Sequence, residues 1–277
     1  MQKIQQDTTI SVINGHKVQY WQSNPSASKH LLMLRGFRSS NRGLVKFALE
    51  FEGYNVIIPS YPGYDATEEL QERHTALAYA KFIRDFADFL KLSDVTLIGH
   101  SFGTLVGLIY ATEYPGRVKN LVLIAPIPKP NTSVKASSLY FRIGQILPPP
   151  LDYKWLTSRL IQDPIRRYVI QSRHRDIKAD IMDEGEQELR ELKPKINTEN
   201  FISVGEINPE AWLQKLNIPT LVIAGPKDRL TQLRDVLRTY TRPGIDLTVV
   251  PGMGHYAPSE IPGQLKTIIH TWLEKNE

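Results

Sequence analysis

Residues 94–110, DVTLIGHSFGTLVGLIY, constrain this chain more than any other stretch. Val95, Thr96, Leu97 and Ile98 form a short apolar run, and from about Thr104 the sequence is that of an apolar helix. Gly99-His100-Ser101-Phe102-Gly103 stands between them. A strand that becomes a helix over so few residues presses the backbone two positions before the apex against that two positions after it, and glycine avoids the clash. The apex serine is then strained, with its hydroxyl raised at the carboxyl end of a sheet above the positive end of a helix. A glycine–x–serine–x–glycine pattern arises by chance in roughly one chain of this length in ten. Its weight here comes from its flanks.

Those flanks alternate between strand and helix patterns. Residues 8–13 (TTISVI) and 17–21 (KVQYW) enclose Asn14-Gly15, which predicts a tight hairpin at a sheet edge. Residues 30–34 (HLLML) and 54–59 (YNVIIP) are continuous apolar runs, as in strands buried on both faces. Each ends in a turn sequence, RGFRSS at 35–40 and SYPGYD at 60–65. Residues 44–51 predict a helix closed by Gly53. Helical spacing runs over 68–92, with Leu77, Ala80, Phe82, Ile83, Phe86, Phe89 and Leu90 on one side and Lys81, Arg84, Asp85 and Asp88 on the other. Pro115-Gly116 stops the helix after Ser101, and residues 118–125 form another apolar strand. This alternation predicts a parallel sheet wrapped by helices.

The pattern breaks at Pro126 and resumes after about Asn208. The interval is proline-rich at first, then charged and helix-prone, and its length of about 80 residues suits a helical insertion rather than a separate domain. The predicted organisation is core 1–126, helical cap 127–208 and core 209–277. In the last part, 218–224 is a strand ending in Gly225-Pro226-Lys227-Asp228, 230–240 a helix, 245–250 a strand ending in Pro251-Gly252-Met253-Gly254-His255, and 264–273 a closing helix.

Ser101, Asp228 and His255 therefore fall at loop tips past strand ends, where open α/β sheets bind ligands. Serine needs a base to take its proton, histidine titrates near neutrality, and a carboxylate behind the imidazole fixes its tautomer. Asp228 also fits a helix N-cap. The motifs GHSFG (99–103), AGPKD (224–228) and GMGHYAPSE (252–260), in this order, resemble those of the α/β-hydrolase superfamily over nearly the full chain. The resemblance implies a mostly parallel eight-stranded sheet flanked by helices, with a helical cap insertion. It implies Ser101 as nucleophile, Asp228 as the acid and His255 as general base and acid, with the backbone N–H groups of Phe37 and Phe102 as the oxyanion hole. Arg35 stands where the family usually has histidine before that glycine.

The expected activity is hydrolysis of a small or medium carboxylic ester through an acyl-enzyme. The same residues serve C–C bond hydrolases, thioesterases and aminopeptidases, and some proteins of the fold are ligand receptors, so fold alone does not choose. Two arginines flank Gly36-Phe37, and Arg38, with Arg35, is a candidate for holding a substrate carboxylate. Tyr140 and Trp155, with Phe141, Ile143, Ile146 and Leu147, are candidates for an apolar pocket in the cap. His74, His174 and His270 read as surface residues, His100 as a packed neighbour of the serine, and Asp183-Glu184-Gly185-Glu186 as a solvated run.

No cofactor or metal is expected: the glycine-rich turns lack G-x-G-x-x-G and Walker spacing, and His174 with Asp176 lacks a metal-binding pattern. The chain has no cysteine, which excludes disulfides and thiol chemistry. Its net charge of +5 is spread along the sequence and predicts a solvated basic surface without nucleic-acid binding. With no apolar leader and no apolar run near the ~18 residues of a span, the expectation is a cytoplasmic protein with no membrane attachment. It would act on a small molecule as a monomer or homodimer.

Overall fold

The apolar runs pair into one sheet. A computed structural model describes residues 8–37, 41–147, 164, 167–170, 175–191 and 193–276. Its strands are β1 (Thr8–Ile13), β2 (His16–Ser23), β3 (His30–Leu34), β4 (Asn55–Pro59), β5 (Val95–His100), β6 (Val118–Ile124), β7 (Thr220–Ala224) and β8 (Ile245–Val249). They form an eight-stranded sheet in the order β1-β2-β4-β3-β5-β6-β7-β8. Only β2 runs against the others, through its antiparallel pairing with β1 and β4. Asn14 and Gly15 both take positive φ, 49° and 85°, as the hairpin between β1 and β2 requires.

The helices are α1 (Asn41–Ala48), α2 (Ala76–Phe89), α3 (Phe102–Glu113), α4 (Thr132–Gly144), α5 (Arg175–Glu191), α6 (Pro194–Glu206), α7 (Glu210–Leu213), α8 (Leu233–Tyr240), α9 (Ala257–Glu260) and α10 (Pro262–Asn276). The strand period of two divides the core between the faces. Leu32, Leu34, Leu121, Leu123 and Val222 join side chains of α2, α3 and α8 on one face. Leu31, Met33, Val122, Ile124, Leu221 and Ile223 join α1 and α10 on the other. Each of these side chains, wholly removed from water, contributes roughly 1.5–3 kcal/mol before conformational entropy is counted. From Phe102 to Ala111 every residue of α3 is buried, the pattern of a helix enclosed by the core rather than lying on it.

Four sequence expectations are corrected. The helix predicted over 68–92 begins only at Ala76, where Thr75 accepts the Ala78 N–H at 3.1 Å as N-cap. Leu77 and Phe89, counted on its apolar side, are about half exposed. The chain before the helix is held instead by His74, whose Nε2 accepts the Leu70 N–H at 3.1 Å. His74 itself, expected at the surface, is wholly buried, and its Nδ1 lies 2.8 Å from Glu199 of α6. The acidic run of α5 is not simply solvated either: Lys46 of α1 pairs with Asp180 and Glu184, each at 3.0 Å.

Between β6 and β7 the described chain is helical. α4 packs along α6, and Ser138 Oγ donates to the Ile202 carbonyl at 3.1 Å. α6 is tied to the chain entering α2: Glu199 Oε2 accepts from the His74 N–H at 2.9 Å, and Asn200 Nδ2 donates to the His74 carbonyl at 2.6 Å.

Candidate active site

The turn that ends β5 builds the site. Ser101 takes φ 51° and ψ −118°, outside the regions that L-residues favour. A Cβ on Gly99 would lie 2.6 Å from the Gly103 carbonyl oxygen, and one on Gly103 would lie 2.3 Å from that of Leu34. Both glycines are therefore required by backbone contact. Ser101 is fixed by its own N–H, which donates to the Ile124 carbonyl at 3.0 Å, and by Thr104, whose hydroxyl donates to its carbonyl at 2.5 Å.

The chain ends of β7 and β8 bring the other two residues to it. A Cβ on Gly225 would stand 2.3 Å from the Met253 carbonyl oxygen, so the two loops touch through backbone. His255 Nε2 lies 3.0 Å from Ser101 Oγ, and His255 Nδ1 lies 2.9 Å from Asp228 Oδ2. All three are buried. The Asp228 carboxylate also accepts the Leu230 and Thr231 N–H groups at 2.8 Å each and the Thr231 hydroxyl at 2.6 Å. Burial opposes its ionisation, but the neighbouring His255 and these hydrogen bonds outweigh burial, and its pKa lies below the ordinary carboxylate value. An ionised carboxylate only accepts, so the imidazole carries its proton on Nδ1 and turns a bare Nε2 to the serine hydroxyl. Such a line of groups can draw a proton from a hydroxyl as it attacks and return it to a leaving group. Asp228 caps a turn rather than a helix, since α8 starts only at Leu233.

His100 packs beside this line. Its Nε2 donates to the His255 carbonyl at 2.8 Å, which anchors the loop carrying that histidine. Burial, then repulsion between its protonated form and the neighbouring His255 ring if both were charged, pushes its pKa down to about 4. It is neutral near pH 7 and its Nε2 is committed to a carbonyl, as suits a packed neighbour rather than a second base.

Gly36 crosses directly over the serine: a Cβ there would be 3.2 Å from Ser101 Cβ and from His100 Nδ1. Phe37 thereby meets Phe102, their rings 6.3 Å apart. Phe102 opens α3, where backbone N–H groups have no intrahelical acceptor. The aromatic contacts continue outward, with Phe37 6.2 Å from Phe201 of α6 and Phe201 4.6 Å from Phe141 of α4. Phe141 is thus the cap candidate linked, through Phe201, to the loop over the serine. Tyr140, its neighbour at 5.9 Å, is 37% exposed, and Ile143 and Ile146 are exposed as well. Arg38 and Trp155 lie outside the described residues.

Arg35 is 1% exposed. Its guanidinium lies 4.0 Å from the Tyr64 ring centroid and 5.2 Å from that of Tyr61. Phe201, Glu199 and Asn200 were invisible to sequence reasoning, because their partners lie sixty or more residues away and no local spacing marks them. Among the described residues no group of three or more His, Asp or Glu side chains is placed to hold a metal ion. Nor is any helix there long and apolar enough to cross a membrane.

A mostly parallel sheet with a strained serine at the β5–α3 turn and a histidine–aspartate pair past the last two strands is the arrangement of the α/β-hydrolase fold, and this chain has that fold. The family model described as alpha/beta hydrolase fold matches residues 30–145. The chain is 23% identical over 233 residues to Lipase 3 of Moraxella sp. (strain TA144), across 80% of this chain and 70% of that protein. It is 26% identical over 221 residues to 2-hydroxy-6-oxo-6-phenylhexa-2,4-dienoate hydrolase of Burkholderia cepacia, across 75% and 73%. A solved thermophilic esterase from Thermogutta terrifontis superposes with a TM-score of 0.77 at 19% identity, covering 97% of this chain and 98% of that one.

Proposed function

We propose that the protein is a serine hydrolase that cleaves small or medium carboxylic esters through an acyl-enzyme. The observation that carries this reading is the continuous line Ser101 Oγ, His255 Nε2 and Nδ1, Asp228 Oδ2, with steps of 3.0 and 2.9 Å. Ser101 attacks the ester carbonyl while His255 takes its proton, and the charge on the imidazole is balanced by Asp228. The tetrahedral oxyanion is received by the N–H groups of Phe37 and Phe102, each such donor being typically worth about 3–4 kcal/mol of transition-state stabilisation. His255 then gives its proton to the departing alcohol. Water, deprotonated by the same imidazole, releases the acid. The resemblance to a lipase supports an ester as substrate. The resemblance to a dienoate hydrolase makes C–C bond hydrolysis on the same residues the second reading.

The test is a panel of nitrophenyl esters, thioesters, aminoacyl amides and a dienoate, run on the wild type and on Ser101→Ala. The ester reading expects turnover of esters first and a fall of at least ~10³ in kcat in the variant. Ester rates equal in the two proteins would assign the chemistry to another group.

A further inference from the structure

Arg35 is a cation held out of water with no carboxylate paired to it among the described residues. Its Nε and Nη2 are buried and make no hydrogen bond. These two nitrogens form the side-on edge of a guanidinium, the fork that grips a carboxylate through two parallel N–H bonds. The hydroxyl of Tyr61, whose ring Arg35 faces, is likewise buried without a partner. Buried donors are nearly always satisfied, and a buried unpaired charge is the costliest exception. Among the described residues these three donor groups, on two side chains that pack against each other, have no acceptor. The stacking of Tyr64 on the guanidinium holds the fork in one plane. Tyr64 is itself held from the far side, donating its hydroxyl to Asn200 Oδ1 of α6 at 3.1 Å.

The place of this group in the fold says what it would meet. Arg35 directly precedes Gly36, the residue that crosses over Ser101. Tyr61 packs edge-on against Phe102, the residue that follows the serine, with ring centroids 6.3 Å apart. We propose that Arg35, with Tyr61, is the specificity-determining site for a carboxylate on the substrate, so that the preferred esters are half-esters of short dicarboxylic acids. The free carboxylate takes both fork hydrogens of Arg35 while the ester carbonyl lies over Ser101. This deepens the ester-hydrolase reading and rests on it for the place of the scissile bond, but the binding of the anion is separable from the chemistry.

The experiment uses that separation. Thermal unfolding of the Ser101→Ala protein is followed with sodium glutarate and, at equal ionic strength, with sodium chloride. The same pair is run for Ser101→Ala carrying Arg35→Met, which is close to isosteric, and Arg35→Lys, which keeps the charge and loses the fork. Glutarate raises Tm of the first protein and not of the other two. No rise in the first, or the same rise in all three, overturns the site, as a bound water alone would do. In proteins with Ser101 intact, the ratio of kcat/KM for the 4-nitrophenyl half-ester of glutaric acid to that for 4-nitrophenyl butyrate falls at least 30-fold on Arg35→Met, and an unchanged ratio again overturns it. Failure of the ester reading shows differently, as ester turnover that survives Ser101→Ala while the glutarate-dependent rise in Tm persists.

Discussion

Ser101 keeps a backbone that glycine would adopt freely, φ 51° and ψ −118°. Conformations of this kind cost of order 1–3 kcal/mol in an L-residue. Ser101→Gly should therefore be more stable than Ser101→Ala by about 1 kcal/mol, after the greater flexibility of unfolded glycine is allowed for. Both lack the hydroxyl and both should be inactive, so denaturant midpoints isolate the strain. His100 makes a second prediction. Its folded pKa, pushed down to about 4, lies below the ~6.5 of an unfolded histidine. The unfolded chain binds the extra proton first. The stability that neutral His100 contributes is complete above about pH 6.5 and is lost as pH falls toward 4. His100→Gln removes the titrating group and can still donate to the His255 carbonyl, so its stability should be flatter across that window in urea titrations. An equal slope in both proteins would place the titration elsewhere. At this scale the sequence was most informative: serine, histidine and aspartate were legible because each ends a recognisable strand.

At the scale of elements, the chain entering α2 and the middle of α6 form one polar clasp. Glu199 accepts two bonds from His74, and Asn200 returns one to its carbonyl. Glu199→Ala leaves a buried N–H of the backbone and one of the imidazole unsatisfied, at about 1–3 kcal/mol each. A loss of about 3 kcal/mol is expected in chemical denaturation. A loss below about 0.5 kcal/mol would mean that the clasp opens in solution. Gly103→Ala is expected to be worse, because its Cβ would meet the backbone of β3 rather than a movable side chain; the variant should fail to accumulate as folded protein by circular dichroism. The glycines of the elbow could be read from the sequence, since their spacing is local. The clasp could not. Nothing within a dozen residues of His74 marks it as buried, and the helical spacing of 68–75 competes with the turn that His74 closes on Leu70. Leu77 and Phe89 misled for the converse reason: they follow the periodicity of α2 but lie on the margin of its buried stripe.

At the scale of the whole molecule, the described core is a sheet whose inner strands are buried on both faces and whose candidate site sits at one rim. β3, β5 and β6 lie at the middle of the sheet, paired on both edges. Their amides should be the last to exchange with deuterium, and those of β1 and β8 should exchange earlier. The strands and the loops past their ends follow from patterns that can be counted, namely apolar runs and the turns after them, whereas the strand order does not. The way the inserted helices meet the core, through Phe201 on Phe37 and Tyr64 on Asn200, depends on pairings that no run or spacing encodes. The central claim is that one activated hydroxyl does the chemistry. It is tested most directly by intact-protein and peptide mass spectrometry after brief exposure to a fluorophosphonate. The account predicts a single adduct on Ser101, abolished by Ser101→Ala and slowed at least ~10³-fold by His255→Ala. An adduct on another residue, or labelling of Ser101 at the same rate without His255, would contradict it.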